Sequence, residues 1–148
     1  MSYPNPWYYK GEVFDSEDIG NFYGMVYLLE NTTNNKFYVG KKFFWSRVTR
    51  SVKGKKKKCL VESDWKKYHG SNRILNEEIA EKGIDIIRRE ILWLCETKTQ
   101  CAYYELLEQV NRKALLRDDY YNDFIGGKIT GRFLTEIKTD DSDDILKG

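Results

Sequence analysis

Residues 22–44 read Phe22-Tyr23-Gly24-Met25-Val26-Tyr27-Leu28-Leu29-Glu30, then Asn31-Thr32-Thr33-Asn34-Asn35-Lys36, then Phe37-Tyr38-Val39-Gly40-Lys41-Lys42-Phe43-Phe44. Two runs rich in Tyr, Val, Leu and Phe flank a stretch of Asn and Thr, whose short polar side chains bond back to their own backbone and favour turns. The pattern predicts a β-hairpin. With a loop of four residues, Tyr27 is expected across from Tyr38 and Met25 across from Gly40, so that two phenols share one face. Gly40 has no side chain, and a glycine inside a strand marks a place where something approaches closely.

The chain has 148 residues, 41% hydrophobic and 32% charged, which fits one domain with a single core. Neither a signal peptide nor a membrane-spanning run is evident, so a cytoplasmic protein without a membrane partner is expected. Cys59, Cys95 and Cys101 are odd in number and lack C-x-x-C spacing, which argues for free thiols rather than a disulfide framework or a zinc module.

The net charge of +2 hides an asymmetry. Residues 136–148 carry five acids against two lysines, a net −3 that leaves +5 for the body. Lys41, Lys42, Arg47, Arg50, Lys53, Lys55, Lys56, Lys57 and Lys58 all precede the next acid, Glu62. Such a run cannot neutralise itself locally, so it reads either as a solvated loop or as a surface for a polyanion, and its place directly after the hairpin points to phosphate binding. It is expected as a basic loop reaching to about Val61, after Phe43-Phe44-Trp45 closes the strand or opens a short helix.

Residues 1–21, with Pro4, Pro6 and Trp7-Tyr8-Tyr9, read as an extended arm packed on the body. Ser71 is the expected N-cap of a helix from Asn72 to Lys82 that stops at Gly83. Residues 84–95 read as a third strand beside the hairpin. Thr97 to Gln100 has capping-box spacing and opens a helix through about Leu116, with Ala102, Leu106 and Val110 expected to face the sheet. Residues 126–135 read as a loop and the acidic end as disordered. The order β-β-α-β-α predicts a small α/β sandwich, a three-stranded antiparallel sheet covered by helices.

On the second helix, Glu108 has Arg112 four residues on and so has a helix-surface partner, whereas Glu105 has Gln109 there. Glu105 also borders the apolar face, where a carboxylate wants a cation such as Mg²⁺, a hard ion that accepts one carboxylate plus waters and phosphate.

Met25-Val26-Tyr27, ten residues, then Tyr38-Val39-Gly40 resembles the paired tripeptides of the GIY-YIG endonucleases, with Met25 standing where the family usually has Gly. The resemblance, over roughly residues 22–125 of an expected domain at 22–135, implies hydrolysis of DNA phosphodiesters with one divalent ion, Mg²⁺ or Mn²⁺, per active site. It implies Glu105 as metal ligand, Tyr27 as general base, Tyr38 orienting water or phosphate, Lys41 supplying positive field, and Asn122 beside the site. The family's arginine begins a helix shortly after the second tripeptide; Arg47 is nearest, with Arg50 the alternative. The stretch Trp65 to Ser71 looks like a motif of phage members, and His69 or Tyr68 is expected to protonate the leaving group. Lys42, Arg50, Lys53 and Lys55 to Lys58 are the expected grip on double-stranded DNA. Homing, restriction, repair and degradation roles, and a homodimer, stay open. Two competing readings are an inactive nucleic-acid-binding module and a protein adaptor whose basic loop meets an acidic partner.

Overall fold

The computed structural model describes residues 4–125 and 129–131. The hairpin forms from β3 (Gly24–Asn31) and β4 (Lys36–Phe43). Its loop is indeed the four residues 32–35, which makes Asn31 and Lys36 the last pair and sets Tyr27 across from Gly40, Leu29 across from Tyr38 and Met25 across from Lys42. The expected register is therefore off by two residues. An even shift leaves every side chain on its face, so Tyr27 and Tyr38 still stand together as diagonal neighbours, ring centroids 6.4 Å apart.

The expected third strand is β7 (Ile87–Cys95), antiparallel to β3. The sheet does not stop at three strands. The N-terminal arm supplies β1 (Trp7–Tyr9) and β2 (Glu12–Phe14), and β1 runs parallel to β7, giving a mixed five-stranded sheet in the order β2-β1-β7-β3-β4. Short aromatic strands of three residues carry almost no periodic signal, and this is why the arm reads as irregular from sequence. β3 and β7 shift register between Val26 and Tyr27, where Val26 faces Trp93 but Tyr27 faces Ile91. The irregularity falls at the first tyrosine, as bulges beside functional sites commonly do.

The basic stretch is not a loop. It folds into β5 (Trp45–Val52) and β6 (Lys55–Glu62), a separate two-stranded ribbon closed by Lys53 and Gly54, both at positive φ. Two left-handed residues in a two-residue loop make a hairpin turn whose twist matches the strands. Trp45 opens β5 rather than a helix.

Helix α1 (Arg73–Lys82) is capped by Asn72, whose side chain accepts a bond from Leu75 N–H, so the cap lies one residue beyond the expected Ser71. Helix α2 (Lys98–Asn111) is capped by Thr97 and ends before the expected Leu116. α1 buries Leu75 and Ile79 in a core with Met25, Tyr27, Leu29, Trp7 and Trp65. On the other side of the sheet, Cys101 of α2 packs with Val26, Val39 and Cys95. The helices thus cover opposite faces. Cys59, Cys95 and Cys101 are free thiols.

Beyond Ile125 the description is partial. Phe124–Ile125 pairs with Ile129–Thr130, so the stretch expected as a loop contains a short strand, while residues 132–135 and the acidic tail at 136–148 lie outside the described residues. No described helix is long and apolar enough to cross a membrane.

Candidate active site

β4 is an edge strand, and the site wraps around its free edge. From one face of the sheet come Tyr27, Tyr38 and Gly40; from the other come Val39 and Lys41, with α2 above them. Between β4, α1, α2 and the 122–125 segment lies a cleft of about 890 Å³ whose lining includes Tyr27, Tyr38, Lys41, Tyr68, Arg73 and Glu105.

Tyr27 stands on an interior strand and reaches the edge because of its partner. A Cβ on Gly40 would lie 2.4 Å from the Tyr27 hydroxyl and 2.7 Å from its Cζ. The space that the missing side chain leaves is filled by the phenol, which leans over Gly40 into the cleft wall. Trp7 packs edge-on against the Tyr27 ring at 5.2 Å and Tyr68 at 6.1 Å. Burial pushes the Tyr27 phenol well above its ordinary range, and the neighbouring Tyr68 and Tyr38 push the same way. Tyr38 is also raised, chiefly by burial, against an opposing hydrogen bond with Ser71, whose hydroxyl lies 3.4 Å away. Both phenols are neutral near pH 7.

Glu105 faces the hairpin as expected. Lys41 Nζ donates to its Oε1 at 3.1 Å, and the carboxylate side chain is 18% exposed. Glu108 is occupied elsewhere, accepting from Arg112 Nε and Trp93 Nε1, each at 2.8 Å. The remaining face of α2 is reversed from expectation. Cys101 and Gln109 are its buried residues, while Tyr103, Leu106 and Val110 are 62%, 38% and 54% exposed. The reason is the polar strip below: Gln109 Nε2 donates to Val39 C=O, Lys41 meets Glu105, and Trp93 meets Glu108. Four-residue apolar spacing picks out a stripe, but it does not say which stripe the sheet can accept.

Asn122 is 8% exposed and holds β4 with both ends of its amide, donating to Val39 C=O at 2.8 Å and accepting from Val39 N–H at 3.1 Å. It continues the hydrogen bonding of an edge strand that would otherwise end bare.

Arg73 was not singled out in the sequence. It is the first residue of α1, lines the cleft, and has an 83% exposed side chain whose nearest carboxylate, Glu77, is 3.8 Å away. Arg47 and Arg50 lie on β5 and do not line the cleft. The resemblance drawn from the tripeptides implies an arginine at the start of a helix, and Arg73 stands at such a place, directly after the Asn72 cap. The ribbon at 45–62 lies between the second tripeptide and α1. His69 is likewise displaced, its Nδ1 lying 2.6 Å from Asn76 Oδ1, whereas Tyr68 lines the cleft. Lys42 is held by Asp64 at 2.8 Å and lies 4.4 Å from the centroid of the Tyr68 ring.

The donor set suits a weakly caged hard cation. Among the described residues there is no cluster of three or more His, Cys, Asp or Glu that could hold a metal. Glu105 offers one carboxylate, and one turn along α2 the buried Gln109 Oε1 accepts no hydrogen bond from the described residues. One carboxylate on the wall of an open cleft is the partial shell expected of Mg²⁺ or Mn²⁺ that keeps waters and takes substrate oxygen.

The described residues form an α/β domain with a tyrosine pair near a sheet edge, a helix carboxylate opposite and Lys41 and Arg73 on the same cleft. The chain matches the family model described as "Putative endonuclease segE, GIY-YIG domain" over residues 7–125, and it belongs to the GIY-YIG endonuclease family. No curated protein and no solved structure gives a match. The matched span begins at Trp7, so it takes in the arm as well as the hairpin.

Proposed function

We propose that the protein is a divalent-metal-dependent endonuclease that hydrolyses phosphodiester bonds of duplex DNA in this cleft. The observation that carries the reading is convergence. Tyr27, Tyr38, Lys41, Arg73 and Glu105 come from β3, β4, α1 and α2 and line one cleft. Glu105 would hold the ion, which when bound supplies positive charge at the scissile phosphate and acidifies a water.

The chain's own residues divide the remaining work. Tyr27 is the proton acceptor for the attacking water, and Tyr38, bonded to Ser71, orients that water or the phosphate. A phenol raised by burial is ionised near neutral pH only when cations crowd it. Lys41, which lines the same cleft and is paired with Glu105, would supply such charge if that carboxylate turned to another partner. Arg73, on the first turn of α1, neutralises charge developing on the non-bridging oxygens. Tyr68 faces the cleft where His69 does not, and serves as the proton donor to the leaving oxygen.

The test is conversion of supercoiled plasmid in Mg²⁺ or Mn²⁺, beside EDTA and the Glu105→Gln variant. Metal-dependent cutting that the variant loses by at least about 100-fold, with unchanged melting, supports the reading. Binding of the plasmid without cutting would leave a nucleic-acid-binding module, and equal cutting by the variant would move the metal to another carboxylate.

A further inference from the structure

The ribbon β5–β6 pairs along all eight residues of each strand yet joins no larger sheet. An isolated two-stranded hairpin is marginal in water, and this one adds repulsion, with Arg50 directly across from Lys57. Its root is fixed. Ser63 N–H donates to Phe44 C=O at 2.7 Å and Ser63 Oγ to Phe43 C=O at 2.6 Å, and Phe44 is fully buried. Beyond the root the ribbon has no acid before Glu62, and none of its basic side chains forms an ion pair among the described residues.

Strand alternation sorts those side chains. Arg47, Lys56 and Lys58 share one face with Thr49 and Ser51, because Thr49 pairs with Lys58 and Ser51 with Lys56. Arg50, Lys55 and Lys57 share the other. A ribbon lying flat on a DNA backbone needs cations on one face only; this one has three on each. Two charged faces match two walls of phosphate. A sheet with its side chains is about 10 Å thick. That fits the B-DNA major groove, about 12 Å wide, and not the minor groove at about 6 Å. The deep, narrow major groove of A-form RNA excludes it too.

We infer that the ribbon enters the major groove of B-form DNA edge-on, its two faces turned to the two flanking backbones, and thereby sets which phosphate the cleft receives. The inference rests on the reading that the protein acts on DNA. Proximity supports it: a second recess of about 180 Å³ at the ribbon root, lined by Lys41, Lys42, Phe43, Trp45 and Ser46, shares Lys41 with the lining of the cleft.

The test measures duplex binding by the full chain in EDTA across a salt series, so that it does not depend on cleavage. Lys56→Ala with Lys58→Ala, and separately Lys55→Ala with Lys57→Ala, should each lower the log–log salt slope by about 2. The matching Lys→Arg pairs should restore it. Methyl green, which occupies the major groove, should displace the protein, and netropsin, in the minor groove, should not. A slope change from only one face would mean a flat ribbon and overturn the inference, as would displacement by netropsin or equal affinity for an RNA duplex. Binding with both slope changes but no plasmid cutting in metal would sink the nuclease reading alone; cutting with neither slope change would sink the ribbon alone.

Discussion

A methyl group at Gly40 would lie 2.4 Å from the Tyr27 hydroxyl, so the two positions act as one unit. Gly40→Ala is expected to cost about 1–3 kcal/mol of stability through overpacking, and to lower turnover further by pushing the phenol off its wall. Thermal melts and single-turnover cleavage would separate the two effects; an unchanged melt and full activity would mean that Tyr27 does not depend on this space. Tyr27 also makes a pH prediction. Its folded pKa is raised, so the neutral phenol is favoured in the folded state, and that contribution is whole below the unfolded value of about 10 and lost as pH rises past it. Stability should therefore fall above about pH 10, and fall less steeply in Tyr27→Phe. That Tyr27, Tyr38, Lys41 and Glu105 come to one cleft was legible in the sequence, from the tripeptide spacing and the helix register. The register of the pairing, and Gly40 as Tyr27's own berth, needed the count of loop residues made by the folded hairpin.

At the scale of elements, Asn72 has two tasks. Its Oδ1 caps α1 and its Nδ2 donates to Tyr121 C=O at 3.0 Å, which fixes the turn that presents Arg73 to the cleft. Asn72→Ala should destabilise by about 1–2 kcal/mol, and slow cleavage by more than that loss explains, because Arg73 loses its aim. Asn72→Asp, which keeps the cap but not the donor, should recover the stability and less of the rate. The helices were legible as elements since apolar periodicity and caps announce them. Their detail was not: α2 turns polar residues to the sheet because β4 and Trp93 offer polar partners, and no periodicity encodes a partner. The ribbon was read as a loop because lysine is a poor strand former and charge hides alternation.

At the scale of the molecule, Arg89 on β7 is fully buried and ties the arm to the site. It donates to the carbonyls of Asn5 and Tyr68, and its guanidinium lies 4.6 Å from the centroid of the Trp7 ring. Trp7 in turn donates to Trp65 C=O at 2.8 Å and backs the Tyr27 ring. Trp7→Ala should cost about 3–5 kcal/mol, and an arm that is truly peripheral would show a much smaller loss in denaturant melts. A three-strand core was legible; β1 and the buried arginine were not, since the pairing of Trp7 with Arg89 and the bond from Arg89 to Asn5 join residues more than 70 positions apart, and β2, three residues long, pairs only with β1.

The ribbon's two ends meet at Phe44 and Ser63, already bonded to each other, so the intervening segment is an outgrowth that the rest of the chain does not need for closure. Replacing residues 46–61 by a short glycine turn should leave a smaller domain with the same melting behaviour, able to cut at low salt and idle at physiological salt. The same junction would accept a foreign hairpin or helix in its place. Target choice in this chain would then be a portable trait, open to exchange without retuning the chemistry beside it.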